Sequence, residues 1–94
     1  MSPRLATVPL GRVVSTPGAL GAFTEAGEHP FVFLARHANG DWGDLCPEDA
    51  RANERALRTG ERLLSAYGLR DGTKIWIITE ADRSSTCILL PEEY

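Results

Sequence analysis

Residues 61–90, ERLLSAYGLRDGTKIWIITEADRSSTCILL, decide the fold: three apolar, strand-like runs are parted by two short polar turns. Arg62 to Tyr67 and Lys74 to Glu80 alternate with the period of a half-buried strand, and Thr86 to Leu90 is a short apolar run. Asp71-Gly72 supplies the first turn and Ala81 to Ser85 the second. Connections this short cannot carry a parallel crossover, so the three runs are expected to pair as an antiparallel meander.

The upstream half carries helix signals. Thr16-Pro17 reads as N-cap and first helical position, since proline loses nothing where its missing N–H has no partner anyway. That helix is expected to run through an apolar stripe of Leu20, Phe23 and Ala26 and to stop at Gly27. Pro30 opens a second helix, Phe31 to Ala38, apolar on nearly all sides and therefore expected to be well buried, with Asn39-Gly40 ending it. Pro47 opens a third, reaching Thr59 with Gly60 beyond; its polar composition predicts a surface helix with one narrow face inward. Arg12 to Ser15, around Val13 and Val14, is a β-prone stretch placed to add an edge strand.

The expected architecture is α+β, with N-terminal helices packed on a C-terminal three-stranded antiparallel meander. Residues 10–94 make one domain, and residues 1–9, containing Pro3 and Pro9, read as a flexible arm.

Composition narrows the function classes. The chain has 94 residues, 43% of them hydrophobic and 24% charged, as in globular rather than disordered proteins. Its net charge of −3 argues against a general duplex-DNA binder, whose non-specific affinity comes from neutralising phosphates. Lys74 is the only lysine, so the positive charge is nearly all guanidinium, with Arg51, Arg55, Arg58 and Arg62 close together and suited to surface ion pairing. No apolar run approaches the roughly 18 residues a membrane span needs, and no secretory signal is visible; a cytoplasmic protein with no membrane partner is expected. Cys46 and Cys87 then read as reduced thiols. With only His29 and His37 beside them, and no Cys-x-x-Cys or His-x-x-x-His spacing, neither a zinc site nor a cofactor is expected.

Two segments are candidates for a site. In the first, His37 ends a helix and is followed by Asp41, Trp42 and Asp44 in a loop bracketed by Gly40 and Gly43. A histidine beside two carboxylates is an arrangement used in general acid–base catalysis, and an aromatic flanked by acids suits a binding surface. The structural alternative makes Arg36 and His37 complements to the helix dipole and Trp42 a plug over the core edge. In the second, Glu80-Ala81-Asp82-Arg83-Ser84-Ser85-Thr86 crowds polar groups between two strands. There Arg83 is able to grip a phosphate or carboxylate while Ser84 and Thr86 donate hydroxyl hydrogen bonds. The alternative is an ordinary turn in which Glu80 or Asp82 pairs with Arg83. Tyr67, Asn53 and Arg51 form a weaker third grouping.

Whole phrases of the chain resemble a group of small, uncharacterised bacterial proteins labelled plasmid-related, some tagged as type I restriction modification subunits. The phrases are Val14-Ser15-Thr16-Pro17-Gly18-Ala19-Leu20, His37 with Gly40-Asp41-Trp42-Gly43, Leu64-Ser65-Ala66-Tyr67, Trp76 through Ser84, and Leu89 through Tyr94. The resemblance implies a cytoplasmic accessory of mobile DNA. A methyltransferase does not fit, because the glycine fingerprint of a cofactor-binding Rossmann fold is absent. The layout of helices before a meander is also similar to barnase and RelE-type ribonucleases.

Two functions are therefore weighed. One is a protein-binding adaptor or inhibitor, in defence or counter-defence, using Asp41, Trp42, Asp44, Glu80, Asp82 and Ser84. The other is a metal-independent toxin-type ribonuclease with His37 as acid or base, Arg83 stabilising phosphate charge and Thr86 positioning the backbone. The scarcity of lysine weighs against nucleic acid as partner.

Overall fold

Three prolines open three helices. In a computed structural model, which describes residues 8–94, α1 spans Pro17–Ala26, α2 Pro30–Ala38 and α3 Pro47–Thr59. Thr16 caps α1 by accepting the Ala19 N–H at 3.1 Å, His29 Nδ1 caps α2 by accepting the Phe31 N–H at 3.2 Å, and Gly27 and Gly60 close α1 and α3.

Four strands follow the same logic: β1 Arg12–Ser15, β2 Leu63–Gly68, β3 Lys74–Thr79 and β4 Ser85–Leu89. They form one sheet in the order β1-β4-β3-β2. The meander β2-β3-β4 is antiparallel as expected, but the sheet is not three-stranded: β1 joins β4 in parallel, with Val14 beside Cys87. The rule that short connections force antiparallel pairing holds only between neighbours in sequence. Between β1 and β4 lie all three helices and two strands, ample chain for a parallel return. Gly11 makes the approach possible. It sits at φ +63° with no room for a side chain against the Ser84 carbonyl, and Arg12 N–H donates to Ser84 O at 3.0 Å.

The inner face of the sheet, through Tyr67, Ile75, Ile77 and Ile88, packs on Ala19, Phe23, Phe33 and Leu34. The rings of Phe23 and Phe33 lie 5.6 Å apart and those of Phe33 and Tyr67 5.3 Å, within the range where aromatic pairs add to plain burial. The pattern of α2 misleads at one point. Phe33, Leu34 and His37 point inward, which leaves Phe31 70% exposed and Val32 outside with it. In α1, Ala19 rather than Leu20 joins Phe23 and Ala26 in the core. A second cluster of Val8, Trp42, Ala56 and Leu63 fills the space under α3.

The arm expected over residues 1–9 lies mostly outside the described residues. Val8 is buried, and its N–H donates to Ala38 O at 2.8 Å. At the other end, a 3-10 turn, Pro91–Glu93, folds back beside the outer face of the sheet, with Glu92, Glu93 and Tyr94 exposed. The Thr16 hydroxyl donates to Glu93 Oε1 at 2.7 Å, and the Tyr94 ring meets Trp76 edge-on at 5.7 Å. Among the described residues no helix is long and apolar enough to cross a membrane.

Candidate functional site

His37 was the leading catalytic candidate, and the fold puts it in the wrong place for that work. It projects from the last turn of α2 onto the inner face of the sheet and is 0% exposed. Its Nδ1 lies 2.6 Å from Ser65 Oγ and its Nε2 2.8 Å from Thr79 Oγ1, which in turn lies 2.7 Å from Thr86 Oγ1. Thr86 donates to the Leu10 carbonyl at 2.7 Å. Because a carbonyl only accepts, the proton directions follow along the chain. Thr79 donates to Thr86, and His37 Nε2–H donates to Thr79. Burial, reinforced by the positive charge of Arg83, pushes its pKa down to about 4, so the imidazole is neutral near pH 7 and Ser65 donates to its unprotonated Nδ1. A hydrogen-bond chain ending in a backbone carbonyl, which only accepts, has nowhere to deliver a proton. It holds α2, β2, β3, β4 and the segment before β1 together.

The two carboxylates expected beside His37 face elsewhere. Asp41 takes the Arg36 guanidinium, Nε donating to Oδ2 at 2.7 Å, and the Gly43 N–H donates to its Oδ1 at 3.2 Å. Its pKa is held below the usual carboxylate range, chiefly by the Arg36 hydrogen bond. Arg36 is spread over the Tyr67 ring, 4.6 Å from its centroid. Tyr67 is buried, donates its hydroxyl to Asp41 O at 2.6 Å, and has its pKa pushed up to about 12 by burial. Trp42 is a plug: only 7% exposed, it packs beside Ala56 and Leu63 and donates Nε1–H to Glu54 at 2.9 Å.

The β3–β4 turn resolves equally plainly. Arg83 sits at φ 61°, an uncommon conformation for a side-chain-bearing residue, and its guanidinium turns inward. Nη1 donates to Glu61 O at 2.7 Å and to Glu80 O at 3.2 Å, and Nη2 donates to Ala56 O at 3.0 Å near the end of α3. Asp82 accepts the Ser84 N–H at 3.0 Å, an Asx turn, while Thr86 is buried in the histidine chain. Glu80, Asp82 and Ser84 remain exposed on the turn. His37, Asp41, Asp44 and Arg83 therefore do not line one cleft. The partners of His37 carried a sequence signal of their own: Ser65, Thr79 and Thr86 are polar residues at inward strand positions, where polar groups need partners.

Of the predicted residues, Asp44 and Tyr67 border a groove on the outer face of the sheet. The groove, of about 330 Å³, runs between the start of α3 and the outer face of β2 and β3, and Asp44, Asp49, Leu64, Ala66, Lys74 and Trp76 contribute to its walls. Leu64, Ala66 and the half-exposed Trp76 give an apolar floor, Asp44 and Asp49 place carboxylates on one rim, and Lys74 lies on strand β3. Neither Asp49 nor Trp76 was singled out for this groove from sequence, since the outward register of β3 and the entry angle of α3 create it. No protein-family model matches the chain, and no curated protein or solved structure matches it either.

Proposed function

We propose that this protein is a small protein-binding module, an adaptor or inhibitor, whose groove beside Asp44 and Trp76 receives a basic side chain from an extended segment of its partner. One observation carries this reading. His37 and Arg83 are engaged internally, while the groove beside Asp44 pairs an apolar floor with two carboxylates. An Arg or Lys stem covers apolar surface while its head reaches a carboxylate, and a Trp face adds attraction for the cation. The acidic net charge of −3 favours the same class of partner during encounter. The setting in mobile DNA, as defence or counter-defence, rests on the sequence resemblance alone.

The ribonuclease alternative needs a surface histidine and a free guanidinium, and the positions of His37 and Arg83 lend it no support.

Peptide display on the immobilised chain, counter-selected on Asp44→Lys/Asp49→Lys, tests the proposal. Enrichment of segments with Arg or Lys beside an apolar residue, each shifting the Trp76 indole resonance, is expected. Enrichment indifferent to basic residues, or equal retention by the charge-reversed chain, overturns it.

A further inference from the structure

The two edges of the sheet are treated differently. Outward groups of β2 are occupied: Leu64 by the Asn53 carboxamide, Ala66 by Trp42 O and Asp44 N–H. On β1 the parallel ladder uses alternate residues, as Arg12 N–H donating to Ser84 O and Thr16 N–H donating to Ile88 O at 3.0 Å show. Val13 and Ser15 consequently turn their backbone N–H and C=O groups away from β4, and no described residue pairs with them. Val13 and Val14 are 43% and 42% exposed. Leu20, one helical turn into α1 with its N–H on Thr16 O, is exposed close behind. An open edge without lysine, proline or bulge is a template for another strand.

The geometry points to a second copy of this chain as the occupant, its β1 pairing antiparallel with this one about a two-fold axis through Val14. This inference stands apart from the groove reading, since it uses the opposite edge of the sheet. In that register Val13 faces Ser15 of the other copy and Ser15 faces its Val13. Each of these is a hydrogen-bonded pair, so every outward backbone group on both edges finds a partner. A register centred on Val13 would instead bring in Gly11, whose positive φ breaks the strand.

Charge selects the same arrangement. Arg12 shares the outer face with its pair mate Ser85, and the alternation carries Thr16 to that face as well. Arg12 then stands opposite Thr16 of the second copy, whose hydroxyl already holds the Glu93 carboxylate at 2.7 Å. Two Arg12–Glu93 pairs form, one on each side of the axis, and the Val14 side chains meet between them. The result is a continuous sheet with a groove at each far end, a bivalent form suited to an adaptor.

A four-residue edge buries less than the roughly 1,200 Å² of a standard interface, so the dimer is expected to be weak, with Kd in the micromolar to millimolar range. Sedimentation of the full chain from about 10 μM to about 1 mM is the test, and concentration-dependent dimer is expected over that range. Val13→Pro removes an outward N–H that the β4 ladder does not use. It should abolish the dimer while leaving the far-ultraviolet circular dichroism unchanged. Arg12→Glu should weaken self-association about tenfold, and adding Glu93→Arg should restore it. The charge-swap arm decides the matter even should the proline variant not fold. A monomer throughout the range, a dimer indifferent to Val13→Pro in the folded variant, or a charge swap without rescue overturns the inference.

Discussion

Asn53 behaves as a one-residue strand for Leu64. Its Nδ2 donates to Leu64 O at 2.6 Å, and Leu64 N–H donates to Asn53 Oδ1 at 3.1 Å. A carboxamide presents the same donor and acceptor as a peptide unit, so a helix side chain completes the ladder of an edge strand. Asn53 is buried in doing so, which explains a polar residue on the inward stripe of α3.

Removing that carboxamide leaves two backbone groups at a covered edge without partners. Asn53→Ala is expected to cost about 2–3 kcal/mol, seen as a lower urea midpoint at unchanged slope. Asn53→Asp keeps the acceptor but turns a carboxylate toward the Leu64 carbonyl, so it should not recover the loss. A stable Asn53→Asp variant would mean that water replaces the contact.

His37 makes stability depend on pH in a defined window. Its folded pKa of about 4 lies below the ordinary value of 6.5, so the unfolded chain binds the proton more tightly. The contribution is complete above pH 6.5 and is lost as pH falls toward 4. At about 1.4 kcal/mol per decade of proton affinity, the loss is about 3 kcal/mol. Asp41, depressed by Arg36, and Glu93, depressed by the Leu90 N–H and the Thr16 hydroxyl, lose their contributions mainly below pH 4.5, because their ordinary values are 3.8 and 4.5. Chemical denaturation between pH 4.5 and 6.5 isolates His37. The slope should vanish in His37→Gln, which does not titrate, and its persistence there would assign it to another group.

Arg83 closes three segments at once by donating to carbonyls in α3, in the segment before β2 and in its own turn. Arg83→Ala is expected to lose about 2–3 kcal/mol of stability, because the carbonyls lose a charged donor. Arg83→Gly should lose about 1 kcal/mol less, since glycine accepts φ 61° without strain. A phosphate-binding arginine would behave oppositely, its removal leaving stability intact, so the ordering of the two variants separates the roles.

The sequence reached the elements more surely than their arrangement, for local reasons. Thr16-Pro17, Pro30 and Pro47 start helices through backbone constraints within a few residues, and all three helices begin there. The β1–β4 pairing depends on how closely Gly11 approaches Ser84, a contact between residues far apart in sequence. Phe31 and Leu34 are equally apolar, yet the direction in which α2 meets the sheet exposes one and buries the other. The candidate site failed for a related reason. His37 and Asp41 are four residues apart, but the helix ends between them and the chain turns, sending one side chain inward and the other to Arg36. For Arg83 neither a bound anion nor a pairing with Glu80 or Asp82 describes its guanidinium, because the carbonyls that hold it include those of Ala56 and Glu61, out of reach of any local pattern.

Two glycines give the sharpest contrast. Gly43 lies at φ +74° in a parallel bridge to Ala66, where Asp44 N–H donates to Ala66 O at 2.7 Å and Ala66 N–H donates to Trp42 O at 3.1 Å. A Cβ there would strike the Ala66 carbonyl and the Tyr67 ring, so Gly43→Ala must open the bridge as well as strain the backbone. A loss of about 3–5 kcal/mol is expected. Because the bridge seats Trp42, whose indole is buried, its emission should shift to longer wavelength while half-exposed Trp76 contributes a constant background. Gly21 stands in the interior of α1 with nothing within 4 Å of a built Cβ. Gly21→Ala should therefore raise stability by about 0.5–1 kcal/mol through helix propensity and a less flexible unfolded chain. Thermal unfolding of the two single variants, followed at both far-ultraviolet and tryptophan wavelengths, checks the pair. If Gly43→Ala kept both its stability and the Trp42 emission, the bridge would not be what covers the β2 edge.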